Sequence, residues 1–253
     1  MRVNQIRVSR NVKFFGPRME KKFNLRPFDD PTAPVVMYGI YNEDDYTFFD
    51  TFKPPIIALW RGTDALVTNP ARAIRLLRRS DCKHYAVSKD VQRSLARWGV
   101  DSKMLPITST DPAIKCEPRG NWVYCYHSSK HPVMLEKYKI KVLRKLEKDL
   151  RRKFVYTTLH GRNYEDLMGV YKKSFVGVRL LDHDGMSNSI LEMGLMGRRT
   201  ISNSGLPFTI PWSNYESIKK AIKKEWSARH EDNKMISEAY RKLIDIGDTW
   251  LEL

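Results

Sequence analysis

Cysteine is nearly missing from this chain of 253 residues. Cys82, Cys116 and Cys125 stand far apart with no CxxC pair, which excludes a disulfide framework and a zinc ribbon and points to a reducing compartment. Long apolar runs are missing as well: nothing approaches the roughly 18 uncharged apolar residues of a membrane-spanning helix. The opening run MRVNQIRVSRNVKFF interrupts its apolar positions with charges and so lacks the continuous core of a signal peptide. A soluble, cytoplasmic protein is expected. GxxxxGK(S/T), GxGxxG and GxSxG do not occur, which leaves a P-loop, a dinucleotide fingerprint and a hydrolase elbow without support. Acid is the scarce charge: 45 Lys and Arg face 29 Asp and Glu, a net +16. That balance attracts phosphate-bearing partners, among which nucleic acid, an anionic membrane face, a nucleotide-sugar and an acidic glycan all qualify. A hydrophobic fraction of 42% with 11% aromatics excludes a disordered basic tail.

The length suits two domains of about 120 residues, each able to bury a core. The pattern predicts a leading strand over 2–8, irregular structure to about Pro34, and then an αβ rhythm. Strands are expected over 34–41, 56–60, 83–87 and 104–107, with helices over 44–52, 70–79 and 88–98. The stretch TSTDPAIKCEPRG, 108–120, lacks periodicity and carries two prolines, as a linker does. A second αβ stack follows. It has strands at 121–126, 154–159, 175–180 and 199–202. Its helices are one long amphipathic helix from about 132 to 150, then 164–172 and 214–227. The last segment, 231–253, is helical by pattern. The division expected is therefore 1–112, 113–230 and a terminal helix over 231–253.

The most informative segment is LLDHDGMSNSILEMGLMGRRTIS, Leu180 to Ser202. It reads as a strand end, an acidic loop, a capped helix and a second strand. Ser187 and Asn188 are strong N-cap residues, and Ile190, Leu191 and Leu195 follow on one helical face. A helix start presents unpaired N–H groups and about half a positive charge, and Gly185 lets the backbone approach a diphosphate. Asp184 precedes the helix and Glu192 lies one turn beyond its cap, placed to accept ribose hydroxyls. An acid, seven residues, a second acid, a helix end rich in small residues and a short strand: this order resembles the paired-acid signature of retaining GT-B glycosyltransferases, of the glycogen-synthase or group 1 type. Gly185, Asn188, Leu191, Glu192, Gly194, Gly197 and Ile201 stand at the positions of that pattern. Asp184 stands where the family usually has Glu, one methylene longer.

The resemblance implies an α/β protein of GT-B type, two Rossmann-like domains facing across a cleft, with the donor held by the second and the acceptor by the first. The terminal helix is then expected to brace the first domain, and the short chain suggests a pared-down enzyme of viral or microbial type. The donor would be a nucleoside diphosphate sugar and the acceptor a hydroxyl of a glycan, glycoprotein or lipid, with retention, no cofactor and no metal. Asp184, Lys130 and Arg61 are the candidate catalytic residues. Gly185, Met186, Ser187, Asn188, Glu192, Arg162 and His127 are the candidate donor-binding residues. Lys130 resembles the cation that meets the donor diphosphate, and Arg162 a second phosphate clamp. Arg61, in WRGTD, stands where the family has a histidine; Asp64 orients the acceptor or caps a helix. Gly39 and Tyr41 are weaker candidates for lining the acceptor side. His127 and His131 have metal-type spacing without a third ligand in place, and Asp182-His183-Asp184 resembles a metal-type cluster whose residues the phosphate-seat reading explains with fewer assumptions. The basic runs at 139–153 and 219–224 read as solvated helix faces. A peripheral contact with an anionic bilayer is compatible with the charge, and no dedicated nucleic-acid partner is expected. The rivals are a basic Rossmann-like nucleic-acid-binding protein and a GT-B subunit that has lost turnover.

Overall fold

A computed structural model of the chain describes residues 1–66, 68–127, 131–158, 163–182 and 186–253. They divide into two compact units, Met1–Asp111 with Ile244–Leu253, and Pro112–Leu243.

The first unit is built on a six-stranded parallel sheet in the order β2-β1-β3-β4-β5-β6, from β1 Gln5–Val8, β2 Arg26–Pro27, β3 Val35–Tyr38, β4 Ile56–Trp60, β5 Cys82–Ala86 and β6 Lys103–Met104. The central strands VVMY and IIALW are buried at every position, as parallel strands covered on both faces must be. Its helices are α1 Gly16–Phe23, α2 Glu43–Thr51, α3 Thr63–Leu66, α4 Pro70–Leu77 and α5 Lys89–Ala96. Side chains at Asn42, Asn69 and Ser88 cap α2, α4 and α5 by accepting from the first-turn N–H groups. The first 34 residues, expected to be irregular beyond one strand, instead contain β1, a 3-10 turn, α1 and β2. GPRMEKKF is too short for its apolar period to stand out, and tertiary burial of Met19 and Phe23 holds it.

The second unit is a four-stranded parallel sheet in the order β10-β9-β7-β8, from β7 Trp122–Tyr126, β8 Phe154–Thr157, β9 Ser174–Val178 and β10 Arg199–Ile201. Its helices are α6 Pro132–Lys137, α7 Ile140–Leu150, α8 Tyr164–Lys172, α9 Asn188–Leu195, α10 Tyr215–Ser227 and α11 Lys234–Ile244. The long helix expected over 132–150 is broken. Lys139 takes a left-handed conformation, φ 54°, between α6 and α7, and so turns the chain where the apolar pattern alone shows no stop. The last segment is not one helix either: α11 ends at Ile244, and a 3-10 turn at Thr249–Leu251 follows. Trp250 and Leu251 join the first unit's core beside Ile6, Phe23 and Leu59, and the Trp250 ring meets Phe23 edge-on at 5.1 Å. The segment 108–120 is not a solvated tether, since Thr108, Ser109 and Thr110 are buried.

Arg198 fixes the lower part of the second unit. It is fully buried and donates to main-chain carbonyls of Lys172 (3.0 Å), Ser174 (3.3 Å), Glu117 (2.9 Å), Pro118 (2.7 Å) and Met196. Desolvation pushes its guanidinium down to about 10. The planar fork of five donors allows one side chain to satisfy this many carbonyls without a carboxylate.

Candidate functional site

Strand order decides where a ligand belongs in each unit. In the second sheet β7 lies between β9 and β8. The connection leaving β7 runs through α6 and α7, and α7 packs on the layer that also holds α10. The connection leaving β9 runs through α9, which packs with α8 on the other layer. Adjacent strands whose exits go to opposite layers leave room at their C-terminal ends, where open parallel sheets take ligands. Of the segments leaving those ends, the described residues are His127 after β7, and 179–182, Met186 and Ser187 between β9 and α9. The start of α9 thus lies at the switch point of its sheet.

The helix of that segment, α9, is sunk into the unit: Ile190 through Leu195 are all buried. Gly194 is required by the close approach of α11, since a Cβ there would meet the Tyr240 ring at 2.3 Å. Gly197, φ +82°, ends the helix, with Arg198 N–H returning to Met193 O at 2.9 Å in the manner of a left-handed C-cap. Ser187 occupies the N-cap position, and its carbonyl accepts from Ile190 and Leu191, each at 3.1 Å. Its side chain does not cap. The hydroxyl lies 2.9 Å from that of Ser189 instead, which leaves the helix mouth lined by two hydroxyls. Met186 is buried, while Ser187 and Asn188 are half-buried.

Glu192 turns inward and is only 2% exposed. It lies by Tyr171 of α8, whose hydroxyl titrates well above its ordinary range because of burial and the neighbouring Tyr124 and Glu192. Tyr171 packs edge-on against Tyr124 at 4.8 Å, and the Tyr124 hydroxyl accepts from Thr157 at 3.0 Å. A polar row therefore runs through the apolar layer from Glu192 to Thr157 at the C-terminal end of β8. At the end of β7, His127 is buried, and its N–H donates to Thr157 O at 3.0 Å.

Arg179 was not singled out by sequence reasoning. It follows β9 at the switch point and stacks over Tyr126 at 4.4 Å and Tyr138 at 5.6 Å. The signal was present as a cation directly after the buried run SFVGV, a strand-end position in a sheet of this type. Lys139, at the break between α6 and α7, reaches Asp182 of the next loop at 3.5 Å. Lys130, Arg162, His183, Asp184 and Gly185 lie outside the described residues, and of the expected donor-binding residues the structure describes His127, Met186, Ser187, Asn188 and Glu192.

In the first unit, order β2-β1-β3 places the corresponding switch point at the ends of β1 and β3. Asp45, 1% exposed, ties these loops. It accepts from Arg7 (2.9 Å) and Ser9 (2.6 Å) on the β1 side and from the N–H groups of Tyr41 (3.0 Å) and Asn42 (3.3 Å) on the β3 side. Gly39 and Tyr41 belong to this loop, and a Cβ on Gly39 would strike the Tyr41 ring at 2.5 Å. The sequence sign of this arrangement was Asn42 three residues before Asp45, a capping-box spacing. Arg61 follows β4. Its guanidinium donates to the Ile107 carbonyl and lies 5.0 Å over the Tyr38 ring. Asp64 is fully buried and accepts from the N–H groups of Arg61 (3.0 Å), Gly62 (2.7 Å) and Ala65 (3.0 Å). Burial pushes its carboxyl pKa up. Of the two roles open to Asp64, the structure shows the turn-organising one.

Two parallel α/β units, each entered by the same 2-1-3-4 strand order, make this a protein of GT-B fold. Sucrose-phosphate synthase from Thermosynechococcus elongatus matches 94% of this chain and 74% of its own, at 12% identity and a TM-score of 0.58. A glycosyltransferase from Rickettsia africae ESF-5 matches 96% of this chain and 80% of its own, at 14% identity and a TM-score of 0.55. A mutant of S. aureus TarM, solved with fondaparinux, α-GlcNAc-glycerol and UDP, matches 93% of this chain and 59% of its own, at 11% identity and a TM-score of 0.51. No family model and no curated protein matches the sequence.

Proposed function

We propose that this chain is a glycosyltransferase that moves a sugar from a nucleoside diphosphate sugar to a hydroxyl acceptor with retention of anomeric configuration and without a metal. One observation carries the reading. The start of α9, from Met186 to Asn188, stands at the β7/β9 switch point, with Glu192 turned into the unit rather than out to solvent. In this reading the diphosphate sits at the mouth of α9, where N–H groups and the helix dipole favour anions. Lys130, Arg162 and Arg179 offset charge that builds on the leaving diphosphate. Glu192 accepts from the ribose hydroxyls, and Asp184 orients the donor sugar. Attack comes from the face the leaving group departs, and its phosphate oxygens take the acceptor proton. Arg61, bound to the Ile107 carbonyl, serves the acceptor side by holding the loop after β4. TarM, solved with UDP, makes uridine diphosphate the first nucleotide to test. A peripheral contact with an anionic bilayer belongs to the same reading.

Thermal shift with UDP, GDP, ADP and their sugars tests it, repeated on Glu192→Gln, which keeps the side chain's size. The expected result is stabilisation by one diphosphate, reduced in the variant by about 1–3 kcal/mol of binding free energy, the usual cost of losing a charged hydrogen-bond partner. Hydrolysis of the preferred donor then separates an enzyme from a subunit that binds without turnover. No response to any diphosphate defeats the proposal and leaves phosphate-contact binding of nucleic acid, with its steep salt dependence, as the better account.

A further inference from the structure

The charge of the molecule is unevenly divided. Residues 112–243 hold 26 Lys and Arg against 14 Asp and Glu, a net +12, whereas the remaining residues hold 19 against 15, a net +4. Most of the excess lies in two stretches. Residues 139–153 carry eight cations and two acids, and residues 215–229 carry five cations and two acids. These are α7 with its following turn and α10, which share one layer over the second sheet.

Three of the four acids there are engaged, and the fourth, Glu216, is exposed in the first turn of α10. Glu147 accepts from Arg144 at 3.0 Å and from the Tyr156 hydroxyl at 3.1 Å. Asp149 accepts from the Tyr215 hydroxyl at 2.6 Å and from Lys219 at 3.3 Å. Glu225 is buried below with Arg119 and Arg199 at 3.4 and 3.3 Å. Three of the four arginines are engaged as well: Arg144 lies over Tyr156 at 3.8 Å, and Arg152 and Arg229 lie over Trp226 at 3.6 and 3.7 Å. What stands outward, besides Arg151 at the end of α7, is lysine. Lys141, Lys145, Lys148, Lys220, Lys223 and Lys224 are all exposed, and the salt bridges among the described residues use none of them.

We infer that the α7/α10 face of the second unit docks on an anionic lipid bilayer through these six lysines. Three features favour lipid over nucleic acid. The ring faces of Tyr156, Tyr215, Trp226 and Trp122 are covered by cations at 3.8, 4.7, 3.6 and 3.9 Å, so they are not open platforms for stacked bases. Apart from Arg151, the outward cations are ammonium point charges on flexible stems, suited to diffuse headgroup phosphates, while the forked guanidinium groups of Arg144, Arg152 and Arg229, of the kind that reads phosphates or base edges bidentately, lie against protein rings. Exposed large apolar side chains occur on neither α7 nor α10 among the described residues, so the contact is electrostatic, at headgroup depth and reversible by salt. The face belongs to a helical layer, whereas the switch-point loops lie at the strand ends. Docking therefore leaves the candidate donor site uncovered.

This docking gives a surface to the bilayer contact of the proposed function, and adsorption and glycosyl transfer are read out separately. The full chain is sedimented with vesicles of phosphatidylcholine alone and with about 30% phosphatidylserine, from low salt to about 0.5 M. Binding is expected only to the anionic vesicles and to be lost at high salt. A variant with Lys141, Lys148, Lys220 and Lys223 all changed to Gln is expected to lose about 100-fold or more in partition, at roughly fivefold per lysine, with an unchanged melting temperature and an unchanged diphosphate response. Glu192→Gln is expected to bind vesicles as the parent does. Failure to distinguish the two vesicles overturns the proposal, as does undiminished binding by the four-lysine variant. Tighter, lysine-dependent binding to mixed-sequence duplex DNA than to vesicles overturns it in favour of nucleic acid.

Discussion

His84 shows how one buried ring ties stability to pH. Its Nδ1 accepts from the Trp60 indole N–H at 3.1 Å, which requires that nitrogen to be unprotonated. Desolvation lowers its pKa from 6.5 to about 4. Because the folded value is the lower one, the unfolded chain takes up the proton first, so the contribution is present above pH 6.5 and is lost as pH falls toward 4. The slope is at most about 1.4 kcal/mol per pH unit. His84→Asn keeps an acceptor for Trp60 and removes the titration. Urea unfolding of the two proteins between pH 7 and 4 is expected to show parent stability falling more steeply than that of the variant; parallel curves would contradict it. The residue-level reading of the sequence did best with groups whose role is local. Ser88 caps its helix as predicted, because a cap needs only its own first turn. Asp64 and Arg61 were harder, because what they bind comes from a turn geometry and from Ile107, distant in sequence.

At the scale of elements, caps and breaks set the lengths of the helices. Arg151 closes α7 in a left-handed conformation, φ 50°, where a β-carbon is strained and glycine is not. Arg151→Gly is expected to raise stability by about 0.5–1 kcal/mol, seen as a higher denaturation midpoint; a loss would show that the guanidinium has a binding role that outweighs the strain. The strands over 56–60 and the helix over 164–172 were legible to the residue, since flanking prolines or an Asn cap mark their ends. The break at Lys139 was not legible. Nothing in the apolar period of 132–150 interrupts the helix, and the interruption belongs to the packing of Tyr138 and Leu143 in separate places.

For the whole molecule, the chain's end belongs to the core of its beginning. Val3 N–H donates to Leu251 O at 2.9 Å, and Trp250 is 5% exposed among first-unit residues. Trp250→Ala is expected to cost about 3–5 kcal/mol, read as earlier unfolding of the first unit by hydrogen exchange at β1 and β3 amides. Protection at β7 and β9 is expected to change little, and equal loss in both units would contradict the division.

The order of the strands along the chain, the αβ alternation, the excess of basic charge and the loop-cap-acid spacing at 184–192 all follow from local pattern, and the sequence by itself determined them. Which strands are neighbours was decided only by tertiary structure, because pairing joins residues far apart and no periodicity records a partner. That pairing put β7 between β9 and β8. In doing so it placed Arg179 at the switch point, turned Glu192 toward Tyr171, and gathered the lysines of α7 and α10 onto one layer.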